Sequence, residues 1–573
     1  MKAGIHITYR NRNYIFRYFH LRSPGVLILY SSLLFSLTMC RTIPKKTATQ
    51  VPPAQKAAKG SICGHDSLWI NFFADKQEIN ACLGMQLVSF YKNRYYTPVW
   101  INSSGINENA GNFLDLLDDE KIFSTRCSVS SLNELRELYR KVLKDTSARM
   151  YCQDSLAMKL EVLLTRNFFE FAARNWQGAD NDVLKQVNWY VTRKQIDYGQ
   201  FLNNYLNSKQ DFSFKEPVYK QYTLLKNYLK KYNEMELNGV WQPMPGECKT
   251  LRKGDTSEAV TLIKHQLYTE GDLTEIDTGK VFNDQLESGV RKFQQRHGLP
   301  DDGIIGKKTL LAMQVTLQDR KRQILLNMER CRWIPREFTG DYLIINIPEF
   351  RLHAYKNDTL KWSSNVIVGK SNPVNSTVIF NDSIEFVVFN PYWNIPKNIL
   401  SKETLPAIQK DREYMQRNNL EVLDKDRQII ESSVIDWNNC SEHFPYTIRQ
   451  RPGKNNSLGS VKFLFPNPYD IYIHDTPAKT LFGESSRAFS HGCIRLEDPA
   501  RLAEFLLCSD NSWTRERIVS MMSEDKEIFV KLKKKVPVYI VYFTSWVDQG
   551  RKLNFRDDVY GYDARLKKLL FVN

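Results

Sequence analysis

The spacing of apolar residues divides the chain into a helical N-terminal part and a strand-rich C-terminal part. Between residues 61 and 245 apolar side chains recur every three or four positions, as in Leu132, Leu135, Leu138 and Val142. This is the repeat of helices with one buried face. From residue 341 the repeat shortens to two, which is typical of half-buried strands. The pattern therefore predicts a multidomain α+β chain with a β-rich C-terminal domain.

The C-terminal part is predicted to contain seven strands and one long insertion. The alternating segments are 343–347, 351–355, 365–368, 384–389, 461–465, 469–474 and 536–543. Residues 397–445 interrupt them with a charged helical stretch over 397–420 and an irregular stretch over 428–441. An insertion of this length is either a lid over a site or a surface decoration.

A small helical module is predicted between the two parts. Residues 251–255 form a turn that opens a first helix, and apolar residues from Phe282 to Leu299 predict a second. The turn 301–306 precedes a third, from Thr309 to Met313. The pattern then predicts one further helix within 316–340.

Composition excludes several classes of protein. The 573 residues are 42% hydrophobic and 12% aromatic, so the chain is globular rather than disordered, and it is long enough for several domains. The net charge of +16 suits an anionic polymer, but the basic residues are spread along the chain without a nucleic-acid motif, so no nucleic-acid partner is predicted. No cysteine or histidine cluster has metal-ligand spacing, so neither a metal nor another cofactor is expected.

Two short segments near the C-terminal end have the residue types of a cysteine nucleophile and its base. The first is Ser490–Cys493, of sequence Ser-His-Gly-Cys, and the second is Ile471–Pro477, a strand that closes on His474. Nineteen positions separate His474 from Cys493, enough for a loop that brings the two side chains together. A thiol nucleophile needs a base within reach. Cys493, His474, His491 and Gly492 are therefore the predicted catalytic residues.

These residues resemble the signature of the L,D-transpeptidases, the cysteine enzymes that cross-link bacterial peptidoglycan. The resemblance implies that Cys493 attacks a stem peptide after His474 removes its proton, and that backbone N–H groups around Gly492 and Cys493 hold the oxyanion. A 3→3 cross-link then forms through a thioester, without a cofactor. His491 orients the thiol or binds substrate. Carbapenems are expected to inhibit such an enzyme.

The resemblance also assigns substrate-binding residues. Arg495 occupies a position where its guanidinium suits a carboxylate. Ser490 and Tyr472 are expected to line the substrate groove, although a tyrosine in a strand is more often a packing residue. Arg451 and Asn456 lie in a basic Pro-Gly segment over 449–459, whose basic residues are expected to pair with a substrate carboxylate. This segment is similar to the family's large, multidomain branch.

That branch also implies a domain plan for the whole chain. The expected parts are a helical scaffold over 61–248, a peptidoglycan-binding module over 249–315, a return helix over 316–340, a catalytic domain over 341–545 with a capping subdomain at about 397–445, and a C-terminal tail over 546–573. The module binds glycan in this interpretation, or else serves only as a helical spacer.

The first forty residues are predicted to direct export. Four arginines precede an apolar run over 26–39, which is shorter than the roughly 20 residues of a membrane span and suits a signal segment. Leu37–Cys40 resembles a bacterial lipobox, although Met39 departs from it. Lipidation at Cys40, an uncleaved anchor and ordinary cleavage all export the chain. A periplasmic protein is expected, tethered to the membrane, with residues 41–60 as a flexible tether.

The sequence leaves two other functions open. The same acyl-enzyme serves a hydrolase if water is the acceptor, so an L,D-carboxypeptidase or an amidase is an alternative. A non-catalytic wall-binding protein is the third hypothesis, and the intact cysteine and histidine argue against it. The ten cysteines permit disulfides in an exported protein, and their pairing stays undetermined.

Overall fold

A computed structural model describes residues 81–571 apart from 103, 120–128, 145–154, 194–195, 208–217, 245, 247–248 and 440–443. The predicted export segment (1–40) and tether (41–60) lie outside the described residues. Among the described helices, none has the length and apolar character that a membrane crossing requires.

Helices make up most of the N-terminal part, as the three- and four-residue repeat predicts. The buried face of the helix over 129–144 contains Leu132, Leu135, Leu138 and Val142. The scaffold helices are Ala81–Lys92, Glu108–Asp119, Val129–Lys144, Ser155–Ala172, Asn181–Gln186, Tyr198–Asn207 and Gln221–Leu237.

A buried carboxylate fixes the start of the scaffold to its central helix. Glu161 accepts hydrogen bonds from the backbone N–H of Val99 (2.7 Å) and Trp100 (2.9 Å) and from the hydroxyl of Tyr91 (2.8 Å). Burial raises the pKa of Glu161 to about 7, and these hydrogen bonds oppose that effect. The segment 91–100 is therefore a structural junction between the start of the scaffold and its central helix.

The small module has the three predicted helices and its own core. Val260, Ile263, Leu286 and Phe293 pack between the helices Glu258–Glu270, Asp284–Arg296 and Lys307–Met313. Arg296 is buried and pairs with Glu270 (Nη2 to Oε2, 2.7 Å) and Asp272, and it also donates to the carbonyl of Leu553 (2.9 Å). A buried ion cluster therefore joins the module to the C-terminal segment.

The return helix, Leu317–Cys331, packs against the scaffold helix Gln221–Leu237. Its Arg330 is buried and pairs with Asp563 of the C-terminal helix Tyr562–Leu570. The C-terminal helix is thus held against the return helix.

The strand-rich C-terminal part is built on a sheet that closes on itself. Eight strands follow one another around the ring, and the last pairs with the first: Val461–Leu464, Ile473–His474, Ile494–Leu496, Thr359–Gly369, Arg351–Lys356, Asp341–Asn346, Ile528–Val541 and Ile379–Phe389. The scaffold strand Trp189–Tyr190 and the strand Ala488–Ser490 attach to this ring. The predicted α+β fold, with a helical module and a β-rich C-terminal domain, is confirmed.

One predicted strand is shorter than its sequence pattern suggests. The segment 469–474 contributes only Ile473–His474 to the sheet. Asn467 donates to the carbonyls of Phe465 and Ile471, and Asp470 has a left-handed φ of 53°. These features form a turn, so side-chain alternation before Ile473 does not indicate a strand.

The insertion forms a compact unit, called the cap here (residues 393–450). The helix predicted through Leu420 ends earlier, because Asn419 takes a positive φ of 51° and the chain continues as a strand. The cap has its own apolar core around Ile408, Val422 and Ile448. Its helices are Lys397–Ile399, Leu405–Lys410 and Tyr414–Arg417, and its strands are Trp393–Asn394, Leu420–Leu423, Ile429–Ile430 and Thr447–Gln450.

The remaining elements follow the cysteine segment. They are the helices Pro499–Leu507 and Arg515–Met522 and the hairpin of Ser545–Val547 with Leu553–Phe555. Three cysteines of the described part are free: Cys331 is buried, Cys493 is half-buried and Cys508 is exposed.

Candidate active site

Parallel strand pairing brings the two predicted catalytic segments together. Ile473 lies opposite Ile494, and His474 lies opposite Arg495. The N–H of Ile494 also donates to the carbonyl of Tyr472 (3.1 Å), which sets Cys493 beside the strand that ends on His474. The loop between the two segments thus brings them together, as their spacing predicts.

Residues 490–493, called the cysteine turn here, are fixed by their own side chains. The Ser490 hydroxyl donates to the carbonyl of Cys493 (2.6 Å) and accepts from the N–H of Gly492 (3.1 Å). Gly492 has a φ of 119°, which residues with a side chain rarely adopt. Glycine is therefore required there. Since its N–H is bonded to Ser490, the expectation that this group holds an oxyanion is not supported by the resting geometry.

The Cys493 thiol is half-buried and protonated at neutral pH. Its sulfur lies 3.5 Å from the carbonyl oxygen of Asp470, to which the thiol donates. Burial raises the pKa of Cys493 to about 11, and hydrogen bonds from Tyr472 only partly oppose this effect. The resting thiol needs a base before it can act as a nucleophile.

His474 is buried and neutral, and a backbone carbonyl fixes its ring. Nδ1 donates to the carbonyl of Asp475 (2.5 Å), which leaves Nε2 as the unprotonated nitrogen of the neutral ring. Burial lowers the pKa of His474 to about 3, with the nearby cations Arg495 and Lys462 adding to the effect. A neutral imidazole held in this way keeps its proton on Nδ1 and can accept a second proton on Nε2.

Arg495 places an unpaired positive charge beside this pair. Its guanidinium is half-buried, and its Nε has no hydrogen-bond partner in the described part of the chain. Burial lowers its pKa, and Cys493 acts against that shift. Guanidinium remains charged in proteins, so this cation is available to a carboxylate.

His491 points to the cap rather than into the cysteine turn. Its Nε2 lies 2.8 Å from Oε1 of Glu403, and both side chains are partly exposed. This contact links residue 491, two positions before the thiol, to the insertion that the sequence marks as a lid candidate. The role of His491 as a catalytic residue stays a prediction.

Three of the predicted substrate-binding side chains are occupied by protein partners. Arg451 pairs with the buried Glu421 of the cap (Nε to Oε2, 2.6 Å). Asn456 is buried and donates to the carbonyls of Pro391 and Arg451. Ser490 is engaged within the cysteine turn. The observed bonds of all three are structural, and substrate binding by them stays a prediction.

Tyr472 lies against the histidine, as a residue lining the site would. Its ring centroid is 5.6 Å from that of His474, with the planes tilted by 58°. Sequence reasoning missed Thr377, whose hydroxyl donates to the carbonyl of Gly492 (2.8 Å), and Lys462, which lies opposite His474 in the sheet. Neither residue belongs to a motif, so only the folded chain indicates them. In the described part no group of three or more His, Cys, Asp or Glu side chains is placed to hold a metal ion.

Three family descriptions match this chain. Residues 340–540 match the L,D-transpeptidase catalytic domain (YkuD), residues 85–229 match the scaffold domain, and residues 256–313 match a domain described as "Putative peptidoglycan binding domain". A Haemophilus influenzae protein named "Putative L,D-transpeptidase" is 33% identical over 245 residues, which are 43% of this chain and 49% of that protein. The match thus spans about half the length of that relative.

Two solved structures of L,D-transpeptidases are similar at low identity. The structure of residues 123–326 of the Xylanimonas cellulosilytica protein is 14% identical, with 52% of this chain and 100% of that chain covered and a TM-score of 0.17. The Stackebrandtia nassauensis structure is also 14% identical, with 52% and 97% covered and a TM-score of 0.21.

Proposed function

Because residues 340–540 of this chain are an L,D-transpeptidase catalytic domain, joined to a scaffold domain and a peptidoglycan-binding type of module, we propose that the protein cross-links peptidoglycan stem peptides. The observation that supports this most directly is the group formed by the Cys493 thiol, the oriented neutral His474 and the unpaired Arg495. Such a set suits acyl transfer from a substrate that carries a carboxylate.

The first half-reaction forms the acyl-enzyme. His474 Nε2 takes the thiol proton as the Cys493 sulfur attacks the carbonyl between the third stem residue and D-alanine. The carbon–sulfur bond forms, the carbon–nitrogen bond breaks, and the imidazolium returns its proton to the amine of the leaving D-alanine. Since His474 is buried and neutral, it can accept the proton over a wide pH range.

The second half-reaction transfers the acyl group to another stem. A side-chain amine attacks the thioester and passes a proton through His474 back to the Cys493 sulfur, which gives a 3→3 cross-link. The bond exchange needs no nucleotide. Arg495 is proposed to bind the carboxylate of D-alanine, which lies next to the scissile bond in the donor tetrapeptide.

The remaining parts of the chain are proposed to bring the site to its polymer. The module over 249–315 would bind the glycan of peptidoglycan. Its folded core and its buried ion cluster with the C-terminal segment support a fixed placement relative to the catalytic part. Export, a periplasmic location and membrane tethering rest on the sequence of the first forty residues and are proposed on that basis alone.

Purified disaccharide-tetrapeptide, incubated with the protein and followed by mass spectrometry, tests the function. A cross-linked dimer with release of D-alanine is the expected product. Tripeptide without dimer would show hydrolysis and replace transferase by hydrolase. Cys493→Ala should abolish both reactions, whereas Cys508→Ala, which removes an exposed free cysteine, should leave them unchanged. Full turnover by Cys493→Ala would refute the proposal.

A further inference from the structure

The cysteine turn is supported from behind by residues outside its motif. Thr377 is fully buried, and its hydroxyl donates to the carbonyl of Gly492 (2.8 Å). The same hydroxyl oxygen accepts from the N–H of Gly369 (2.9 Å). In addition, the N–H of Lys370 donates to the carbonyl of Ser490 (2.9 Å). The end of the strand Thr359–Gly369 and the loop after it therefore hold the cysteine turn at two carbonyls, those of Ser490 and Gly492.

The Gly492 carbonyl belongs to the same planar peptide unit as the N–H of Cys493. In a trans peptide these two groups point in opposite directions. The hydroxyl that holds the carbonyl therefore also fixes the direction of the Cys493 N–H. That N–H has no acceptor among the described residues, whereas the Gly492 N–H is already bonded to Ser490. The Cys493 N–H is thus a backbone donor of the cysteine turn that has no acceptor among the described residues.

A tyrosine from the C-terminal segment completes this support. The Tyr560 hydroxyl donates to the carbonyl of Gly369 (2.7 Å) and accepts from the N–H of Thr377 (3.2 Å). The backbone here is tight, since a Cβ at Gly369 would lie 2.0 Å from the carbonyl oxygen of Asn375. Tyr560 lies beyond the residues 340–540 that match the catalytic family.

We propose that Thr377 and Tyr560 are positioning residues, which orient the Gly492–Cys493 peptide so that its N–H can stabilise the oxyanion formed when the thiol attacks. The inference rests on the proposed function, because that oxyanion forms only when the Cys493 thiol attacks an acyl donor. Thr377 acts directly on the peptide unit. Tyr560 acts through Gly369 and Thr377.

Thr377→Val keeps the shape of the side chain and removes its hydroxyl. Acylation of Cys493 by a carbapenem should slow by roughly 10- to 100-fold, since a misdirected oxyanion donor loses much of its effect. Thr377→Ser should restore most of the rate. Tyr560→Phe should slow acylation by less than Thr377→Val. Tyr562→Phe is the matched control, because its hydroxyl accepts from Asn188 of the scaffold (2.9 Å) and should have no effect.

Alkylation of Cys493 by iodoacetamide separates positioning from general damage. This reaction needs the sulfur but forms no oxyanion. Thr377→Val should therefore slow acylation and leave the alkylation rate unchanged. Equal slowing of both reactions, or an acylation rate equal to wild type, would overturn the inference. Wild-type protein that resists the carbapenem while Cys493 is alkylated would instead overturn the proposed function, and with it the inference.

Discussion

Replacing His474 with glutamine should turn the acylation of Cys493 from a pH-independent into a pH-dependent reaction. In the wild type, the pKa of His474 is about 3 and that of Cys493 about 11, so both groups are neutral between pH 5 and 9. The reacting pair is the same throughout that window, and the acylation rate should be nearly flat. Glutamine can still donate to the Asp475 carbonyl but cannot accept the thiol proton.

The size of the effect follows from the thiol. Without a base only the thiolate reacts, and with a pKa of about 11 its fraction is on the order of one in a thousand at pH 8. The acylation rate of the variant should be lower than that of the wild type by roughly 10²- to 10⁴-fold at neutral pH. This rate should then rise by about tenfold per pH unit up to pH 10, because each pH unit multiplies the thiolate fraction by about ten.

Single-turnover acylation by a carbapenem, measured by mass spectrometry between pH 5 and 10, provides the test. His491→Ala is the matched control. Its imidazole bonds Glu403 of the cap, so this variant should keep the flat profile. A tenfold rise of the acylation rate per pH unit in the wild type would show that no base removes the thiol proton. Recovery at high pH in His491→Ala, but not in His474→Gln, would reverse the assignment.

Three further predictions concern stability. The pKa of His474 is about 3 in the folded chain, below its ordinary value, so the unfolded chain binds more protons at pH values between the two. As the pH falls from 6.5 to 4.5, the free energy of unfolding measured by urea titration should therefore drop by about 2–3 kcal/mol more in the wild type than in His474→Gln. Glu161→Ala leaves the backbone N–H groups of Val99 and Trp100 without an acceptor, which should lower the free energy of unfolding by about 1–3 kcal/mol for each group. An unchanged midpoint of chemical denaturation would contradict this prediction. Arg296→Met leaves the carboxylates of Glu270 and Asp272 buried without their cation, which should lower the free energy of unfolding by about 3–5 kcal/mol. The expected result is faster proteolysis around the module, and unchanged protection from proteolysis would contradict the prediction.

The sequence is sufficient to predict that the two motif segments meet, because the motif residues lie close together along the chain. His474 and Cys493 need only one loop and one pair of parallel strands to meet, and their residue types are informative alone. The helical scaffold and the strand-rich part were likewise predictable, since burial on one face leaves a repeat in the sequence.

The partners of individual polar side chains were not predictable in the same way. Arg451 was expected to meet a substrate carboxylate, but in the fold the carboxylate beside it belongs to Glu421, thirty positions earlier. Thr377 and Tyr560 converge on the cysteine turn from separate segments, and a buried hydroxyl has no periodic signature. Such contacts depend on tertiary packing, which residue spacing does not encode.

The scaffold strand Trp189–Tyr190 has a consequence for how the chain folds. It pairs in parallel with Ile379–Phe380, so a gap of 190 positions must be synthesised before the pairing can form. At about 5–20 residues per second that takes roughly 10–40 seconds. During this interval the strand's backbone groups and the Trp189 side chain, which is 2% exposed in the finished fold, lack their partners. The early scaffold therefore offers an open strand edge to chaperones, or to other nascent chains, until the catalytic sheet arrives.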